Sequence, residues 1–137
     1  MSRKNPDVGT WKFNAAQSKI SPDYPLQLKQ GTLVVSEIGD EIELALSGTL
    51  VNGSPISLKY THPQGGGAIK PAPAGYDASI LTIVTPHEFY GTSLKGGKQL
   101  ALSHVVISAD GKTKRQMMKG RGPDGKTIES LAVWQKQ

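Results

Sequence analysis

Cysteine is absent from this 137-residue sequence, which excludes disulfide bonds, thiolate metal sites and a cysteine nucleophile. Long apolar runs are absent too: no stretch approaches the roughly 18 consecutive residues that a membrane-spanning helix needs, so we expect no membrane span. Segments free of glycine and proline are short, because 16 Gly and 9 Pro punctuate the chain. Such punctuation disfavours long helices and is typical of strands joined by tight turns.

The composition, with 36% hydrophobic and 20% charged residues, is that of a globular protein. We predict a single domain over 1–137, with a flexible N-terminal arm at 1–8 and a long Gly/Pro-rich loop at 63–77. The net charge of +5 would suit an anionic partner. The basic residues are scattered, however, and the dense stretch from Lys112 to Arg121 has no interleaved aromatic residues. We therefore predict no nucleic-acid binding.

Turn signals are the strongest local feature of the sequence. Asn52–Gly53, Asp110–Gly111 and Asp124–Gly125 each separate two segments of alternating polarity. Asn-Gly and Asp-Gly pairs favour two-residue hairpin turns of type I′, which need positive φ angles. Gly39–Asp40 and Gly96–Gly97 indicate two further turns. The sequence therefore predicts hairpins between strands that are neighbours in the chain.

The segments between these turns alternate with a period of two, as half-buried strands do. In Gln99–Ser108, His104 shares a face with Leu100, Leu102 and Val106, and we expect it to project with that apolar face. Strands are predicted at Thr10–Phe13, Thr32–Ile38, Glu41–Val51, Ser54–His62, Ser79–Thr85, His87–Leu94, Gln99–Ser108, Lys112–Gly120 and Lys126–Lys136. The predicted fold is all-β, an antiparallel up-and-down meander closed into a barrel, because closure removes exposed sheet edges.

Both ends of the chain resemble known barrel families. Gly9-Thr10-Trp11-Lys12 resembles the Gly-x-Trp opening of lipocalins and the similar opening of fatty-acid-binding proteins. Leu131–Lys136 resembles the closing strand of fatty-acid-binding proteins. The whole chain resembles small lipocalin-like bacterial proteins in its Gly-Thr-Trp start, its Ala109–Thr113 hairpin and its last Gly-x-x-x-x-Gly turn. This resemblance implies a calycin-like barrel of about eight to ten strands that binds a small apolar or amphipathic molecule.

The lipocalin resemblance also implies that Trp11 closes the floor of the barrel with a basic side chain packed across it. Lys126–Gln137 contains no arginine, so this feature is either missing or supplied by Arg115 or Arg121. The helix pair of fatty-acid-binding proteins is not expected here, because Asn14–Gln30 is too short and too rich in proline.

The histidines His62, His87 and His104 lack the i, i+2 or i, i+4 spacing of a local zinc site, so we predict no metal and no cofactor. His62 ends a strand beside the 63–77 loop and is either a rim residue of the binding site or an ordinary surface histidine. His104 is either a hydrogen-bonded core residue or a proton-transfer group in the cavity.

Other candidate side chains have two interpretations each. The rings of Tyr60, Tyr76 and Tyr90 either donate hydrogen bonds to a ligand or pack in the barrel wall. Met117 and Met118 face opposite sides, so one of them is internal. Glu129 is either a buried carboxylate needing a partner such as Arg115 or a surface charge, because alternation does not decide which face of the last strand is internal. The ligand-binding candidates are Tyr60, His62, Tyr76, Tyr90, His104 and Met117, and the catalytic candidates are His62, His104, Tyr76 and Glu129.

The 63–77 loop combines Gly65-Gly66-Gly67 with Pro71 and Pro73, a composition suited to a hinged flap. Under this hypothesis Tyr60, His62 and Tyr76 cluster at one mouth of the barrel, with His104 deeper inside. The alternative is an insertion far from any ligand.

We expect the cavity to bind a small hydrophobic or aromatic molecule. The alternative is a barrel enzyme, such as an isomerase, cyclase, hydratase or lyase. Such an enzyme would be cofactor-free, because the sequence has no nucleophile elbow, phosphate loop or dinucleotide fingerprint. We expect a monomer or homodimer. The expected location is cytoplasmic if Met1 is the native start, and periplasmic or secreted if a signal peptide has been removed.

Overall fold

The computed structural model describes residues 5–24, 26–73 and 75–137, which form ten strands and no helix. The strands are β1 (Gly9–Phe13), β2 (Leu28–Ile38), β3 (Glu41–Leu50), β4 (Pro55–Pro63), β5 (Gly67–Ala68), β6 (Ala78–Thr85), β7 (Glu88–Lys95), β8 (Lys98–Ile107), β9 (Thr113–Arg121) and β10 (Thr127–Lys136). The all-β prediction is confirmed. The short strand β5 was not predicted, because it lies within the Gly/Pro-rich loop.

One antiparallel sheet contains all ten described strands, in the order β4-β3-β2-β1-β10-β9-β8-β7-β6-β5. Its two edges meet where the backbones of Thr61 and Lys70 exchange two hydrogen bonds of 2.8 Å. The sheet is therefore a nearly closed barrel, and the predicted up-and-down meander is confirmed. Closure at this seam depends on a single isolated bridge between β4 and the chain that follows β5.

The three Asx-Gly hairpins form where they were predicted, but their turns are not of type I′. No described residue other than glycine has a positive φ, whereas Gly53, Gly111 and Gly125 have φ angles of 89°, 74° and 85°. In the first hairpin the Gly53 amide donates to the Leu50 carbonyl, and Asn52 Oδ1 accepts from the Ser54 amide at 2.9 Å. The Asx side chain thus stabilises a right-handed turn, and the glycine alone adopts the left-handed conformation.

Strand register defines which side chains face the barrel interior. Trp11 on β1 pairs with Leu33 on β2, Leu33 with Leu46 on β3, and Leu46 with Leu58 on β4. Trp11 and Leu46 are buried, so this row points inward. The same row continues on the other side of Trp11 into β10. There the inner-face side chains are Ile128, Ser130, Ala132, Trp134 and Lys136.

The structure corrects the predicted face of β8. The buried side chains are those of Ala101, Ser103, Val105 and Ile107, so His104 lies on the outer face with Leu102, which is 39% exposed. Sequence alternation was misleading here because both faces of β8 carry apolar residues. The inner face can be recognised only by its smaller side chains.

The end of the barrel that contains Trp11, called here the Trp11 end, is closed by the N-terminal segment. The Trp11 indole N–H donates to the Asp7 carbonyl at 2.9 Å, and the Asp7 carboxylate forms an ion pair with Lys114. Lys114 Nζ and Lys136 Nζ lie 4.6 and 5.0 Å from the Trp11 ring centroid. The basic side chains across Trp11 are therefore lysines from β9 and β10, so the feature is present and neither Arg115 nor Arg121 supplies it. Of the predicted N-terminal arm, positions 1–4 lie outside the described residues.

Candidate functional site

The inner face of β1–β4 provides an apolar wall that the chain does not fill. Leu33, Leu44 and Leu58 lie in the middle of their strands and point inward, yet all three are only partly buried. A side chain at mid-strand on the inner face can keep accessible surface only if it borders space inside the barrel. These leucines therefore line an apolar lumen.

The opposite wall, on β6–β8, carries small residues away from the Trp11 end and apolar side chains such as Ile83, Phe89 and Val105 towards it. Its inner face carries Ser79, Gly91, Ser93, Ala101 and Ser103, all of them buried. The hydroxyls of its three serines make no hydrogen bond to another described residue. Small side chains leave the lumen wide on this side, and the serine hydroxyls remain available as donors and acceptors. The lumen thus has one apolar wall, and an opposite wall on which serine hydroxyls lie among small and apolar side chains.

Three tyrosines, Tyr24, Tyr60 and Tyr76, are close enough to interact electrostatically, and Tyr76 contacts β9 at the other end of the barrel, called here the Tyr76 end. Burial, together with the nearby charges of Tyr76 and Tyr60, raises the pKa of Tyr24 to about 12. Burial also raises the pKa of Tyr60, and burial with the charge of Asp124 raises that of Tyr76. All three phenols are therefore protonated at neutral pH, as hydrogen-bond donors rather than bases.

Of this tyrosine cluster, the sequence identified Tyr60 and Tyr76 as candidates but missed Tyr24. Tyr24 lies in an irregular segment between β1 and β2, where no alternation indicates which side chain faces the interior. Pro22, two residues before Tyr24, signals only a turn. Tyr76 donates to the Arg121 carbonyl at 3.0 Å, which ties the end of the 63–77 loop to β9.

His62 lies at the Trp11 end and is 5% exposed. It lines a pocket of about 190 Å³ together with Leu81, Ile83 and Phe89. Its Nδ1 is 2.8 Å from the Pro63 carbonyl oxygen. The hypothesis that His62 and Tyr76 share one mouth is wrong, because β4 carries His62 to the Trp11 end while Tyr76 contacts the opposite end of β9.

The 63–77 loop is part of the barrel wall. The Gln64 amide donates to the Asp40 carbonyl, β5 pairs with β6, and Lys70 bridges to Thr61. Ala74 lies outside the described residues. These backbone hydrogen bonds place the loop along the seam of the barrel, where the flap hypothesis had placed a hinged lid.

Four of the predicted site residues lie on the outer face. The Tyr90 and His104 rings stack with centroids 4.4 Å apart, and His104 Nε2 is 2.7 Å from Glu88 Oε2. Met117 pairs with His104 across β8 and β9, and so shares its outward face. Glu129 is a surface charge 3.8 Å from Lys119. The predicted place of His104 in the lumen is therefore wrong, and Met118 rather than Met117 faces inward.

The described residues show no group of three or more His, Asp or Glu side chains arranged to hold a metal ion. No helix long and apolar enough to cross a membrane occurs in the described part of the chain.

No protein-family model matches the chain, and no curated protein sequence matches it. Solved structures that share its fold include the following two. Zebrafish ileal bile acid-binding protein, solved in complex with cholic acid, is 11% identical with a TM-score of 0.57 and covers 96% of this chain and 99% of its own. The siderocalin Ex-FABP, described as functioning through dual ligand specificities, is 12% identical with a TM-score of 0.52. The match covers 96% of this chain and 71% of Ex-FABP. The chain therefore has a calycin-type barrel fold.

Proposed function

We propose that the protein binds a small hydrophobic or amphipathic molecule inside its barrel. The observation that carries this proposal is the partial burial of Leu33, Leu44 and Leu58, which point inward from mid-strand. Apolar surface facing an internal space is stabilised when an apolar ligand replaces water there. The serine hydroxyls opposite these leucines favour a ligand that also carries polar groups on one side.

The structural neighbours support the same proposal. The zebrafish protein was solved with cholic acid bound, and Ex-FABP functions through two ligand specificities. In this chain the protonated phenols of Tyr24 and Tyr60 supply hydrogen-bond donors, whereas the Tyr76 hydroxyl already donates to the Arg121 carbonyl. A ligand acceptor group, such as a carbonyl or ether oxygen, would suit these donors.

The experiment compares two adjacent residues of β8 that face opposite sides. Ser103→Phe places a ring in the lumen, and His104→Phe places the same ring on the outer surface. Binding of the neutral fluorescent probe N-phenyl-1-naphthylamine is titrated for both variants and the unmodified protein. We expect saturable binding that Ser103→Phe weakens at least about tenfold, while His104→Phe changes it less than about twofold.

Thermal melting of the same variants supplies a second readout. An open lumen accommodates the ring of Ser103→Phe with little loss of stability, whereas a filled core would lose about 1–3 kcal/mol through overpacking. Non-saturable probe fluorescence, or equal weakening by both variants, would show that the probe does not bind in the lumen and would overturn the proposal.

A further inference from the structure

The pocket at the Trp11 end is distinct from the tyrosine-lined end of the lumen and has its own polar group. It encloses about 190 Å³ between the inner faces of β4, β6 and β7 and the N-terminal segment at Asn5 and Asp7. Ile83 lies on the inner face but remains 36% exposed. The chain therefore leaves apolar surface unfilled at this pocket.

His62 presents a fixed hydrogen-bond acceptor to this pocket. The Pro63 carbonyl can only accept, so at 2.8 Å His62 Nδ1 is the donor. In the neutral imidazole this assignment leaves the Nε2 lone pair as an acceptor. Nε2 has no hydrogen-bond partner among the described residues, although the side chain is 5% exposed.

The rest of the lining limits the chemistry of the occupant. Leu81, Ile83 and Phe89 supply an apolar and aromatic surface, which suits a ring. No lysine or arginine among the described residues lines the pocket, and Lys114 is occupied by Asp7 and Trp11. An anion in this pocket would lose its hydration without gaining an available cation, so a neutral occupant is favoured.

Volume sets the size of the occupant. An engineered protein cavity of about 150 Å³ binds benzene, and this pocket is somewhat larger, at about 190 Å³. Its volume therefore suits a single six-membered ring with a small substituent.

We propose that this pocket binds a neutral phenol-class molecule, whose ring packs on Leu81, Ile83 and Phe89 and whose hydroxyl donates to His62 Nε2. The site does not depend on the proposed function of the lumen. Its ligand class and its position at the Trp11 end are both different.

The experiment uses phenol and toluene, which have nearly the same shape but differ in the donor group. Binding is followed by ¹H–¹⁵N NMR titration, with the shifts at Leu81, Ile83 and Phe89 reporting occupancy. We expect phenol to bind at least about fivefold more tightly than toluene, the effect of one hydrogen bond in a desolvated site. His62→Phe should abolish this preference, and His104→Phe on the outer face should preserve it.

A second measurement needs no variant. The ¹⁵N chemical shift of His62 Nε2 in the unmodified protein should move with phenol and stay constant with toluene, because only phenol donates to that nitrogen. Equal affinities for the two probes, a phenol preference that persists in His62→Phe, or the absence of saturable shifts at this pocket would overturn the proposal. Loss of naphthylamine binding in Ser103→Phe with phenol binding intact would show that the two sites are independent.

Discussion

Lys114 and Asp7 form an ion pair that is almost entirely removed from water, with side chains 4% and 7% exposed. A buried charge that loses its partner is strongly destabilising, because its hydration is not restored. Lys114 also lies over the Trp11 ring, so it connects the N-terminal segment to the barrel floor. At the scale of single residues this contact is the main polar link that closes the Trp11 end.

Lys114→Met should therefore lower the free energy of unfolding by about 3–5 kcal/mol, since it leaves the Asp7 carboxylate buried and unpaired. Urea denaturation monitored by Trp fluorescence measures the change. Lys119→Met is the matched control, because it removes a pair with Glu129 in which both side chains are 75% exposed. We expect the control to cost no more than about 1 kcal/mol. Similar losses for the two variants would contradict the prediction.

Tyr24 predicts a loss of stability in alkali. Its pKa is raised from 10.0 to about 12, so between these values the unfolded chain releases the proton while the folded protein retains it. The contribution is fully present below pH 10 and is lost as the pH rises towards 12, by at most about 3 kcal/mol. Unfolding free energies at pH 9 and pH 11.5 test this. Tyr24→Phe should reduce the loss of unfolding free energy between these pH values, whereas Tyr90→Phe on the outer face should leave it unchanged. An unchanged loss in Tyr24→Phe would contradict the prediction.

At the scale of elements, the backbones of β2 and β3 lie in close contact where Gly31 pairs with Gly48. A Cβ on Gly48 would overlap the Gln30 carbonyl oxygen and the Gly31 Cα. Because both obstacles are backbone atoms, no side-chain rotation relieves the overlap. The close approach lies next to the irregular register between Leu28 and Gln30, where β2 bends at the Tyr76 end of the barrel.

Gly48→Ala should thus destabilise the fold by more than about 2 kcal/mol, as overpacking against fixed atoms does. Gly53→Ala is a useful comparison, because Gly53 has a φ of 89° but open space around its Cα. We expect about 1 kcal/mol from the left-handed backbone alone. Thermal unfolding of the two variants measures both costs, and a smaller loss for Gly48→Ala than for Gly53→Ala would refute the steric argument.

Elements were predictable where one local rule was sufficient. The Asx-Gly pairs predicted three hairpins, and the alternation between the turns predicted the strands that these hairpins join. The inner face of β8 was not predictable, because apolar residues occupy both faces. For β10 the alternation did not decide which face is internal, because an apolar residue, Val133, is buried on the outer face as well. There the Val133 amide donates a hydrogen bond to the Ser18 hydroxyl.

For the whole molecule, the two ends of the barrel have different chemistry. One end has Trp11, the Lys114–Asp7 pair and His62, and the other has Tyr24 and Tyr76. The sequence suggested His62, because a histidine at a strand end is visible in the alternation of β4. It could not suggest that Tyr24 joins Tyr60 and Tyr76, since three segments distant in sequence meet only after the barrel closes. The same limit applies to the free serine hydroxyls of β6–β8.

The seam is the weakest part of the closed barrel, and local stability should differ accordingly. Between β9 and β10 the pairing continues without interruption, from the pair of Arg121 with Thr127 to the pair of Thr113 with Gln135. Beyond the turn closed by the Gly66 amide and the Pro63 carbonyl, the described part of β4 is joined to the chain that follows β5 by the bridge of Thr61 with Lys70. Opening that bridge breaks two backbone hydrogen bonds, whereas opening β9–β10 breaks a continuous ladder and exposes the inner face of the barrel.

Amide hydrogen exchange should therefore be at least about 100-fold faster at Thr61 and Lys70 than at Met118 and Ser130 in the β9–β10 ladder, when each rate is corrected for its intrinsic value. Native-state exchange followed by NMR measures these rates. A lumen ligand should slow exchange at the seam, because a ligand that contacts Leu58 and Tyr60 stabilises β4 in its closed position. Seam amides as protected as those of Met118 and Ser130 would mean that β4 and β5 are held by interactions beyond the Thr61–Lys70 bridge, and that ligands must reach the lumen through an end of the barrel.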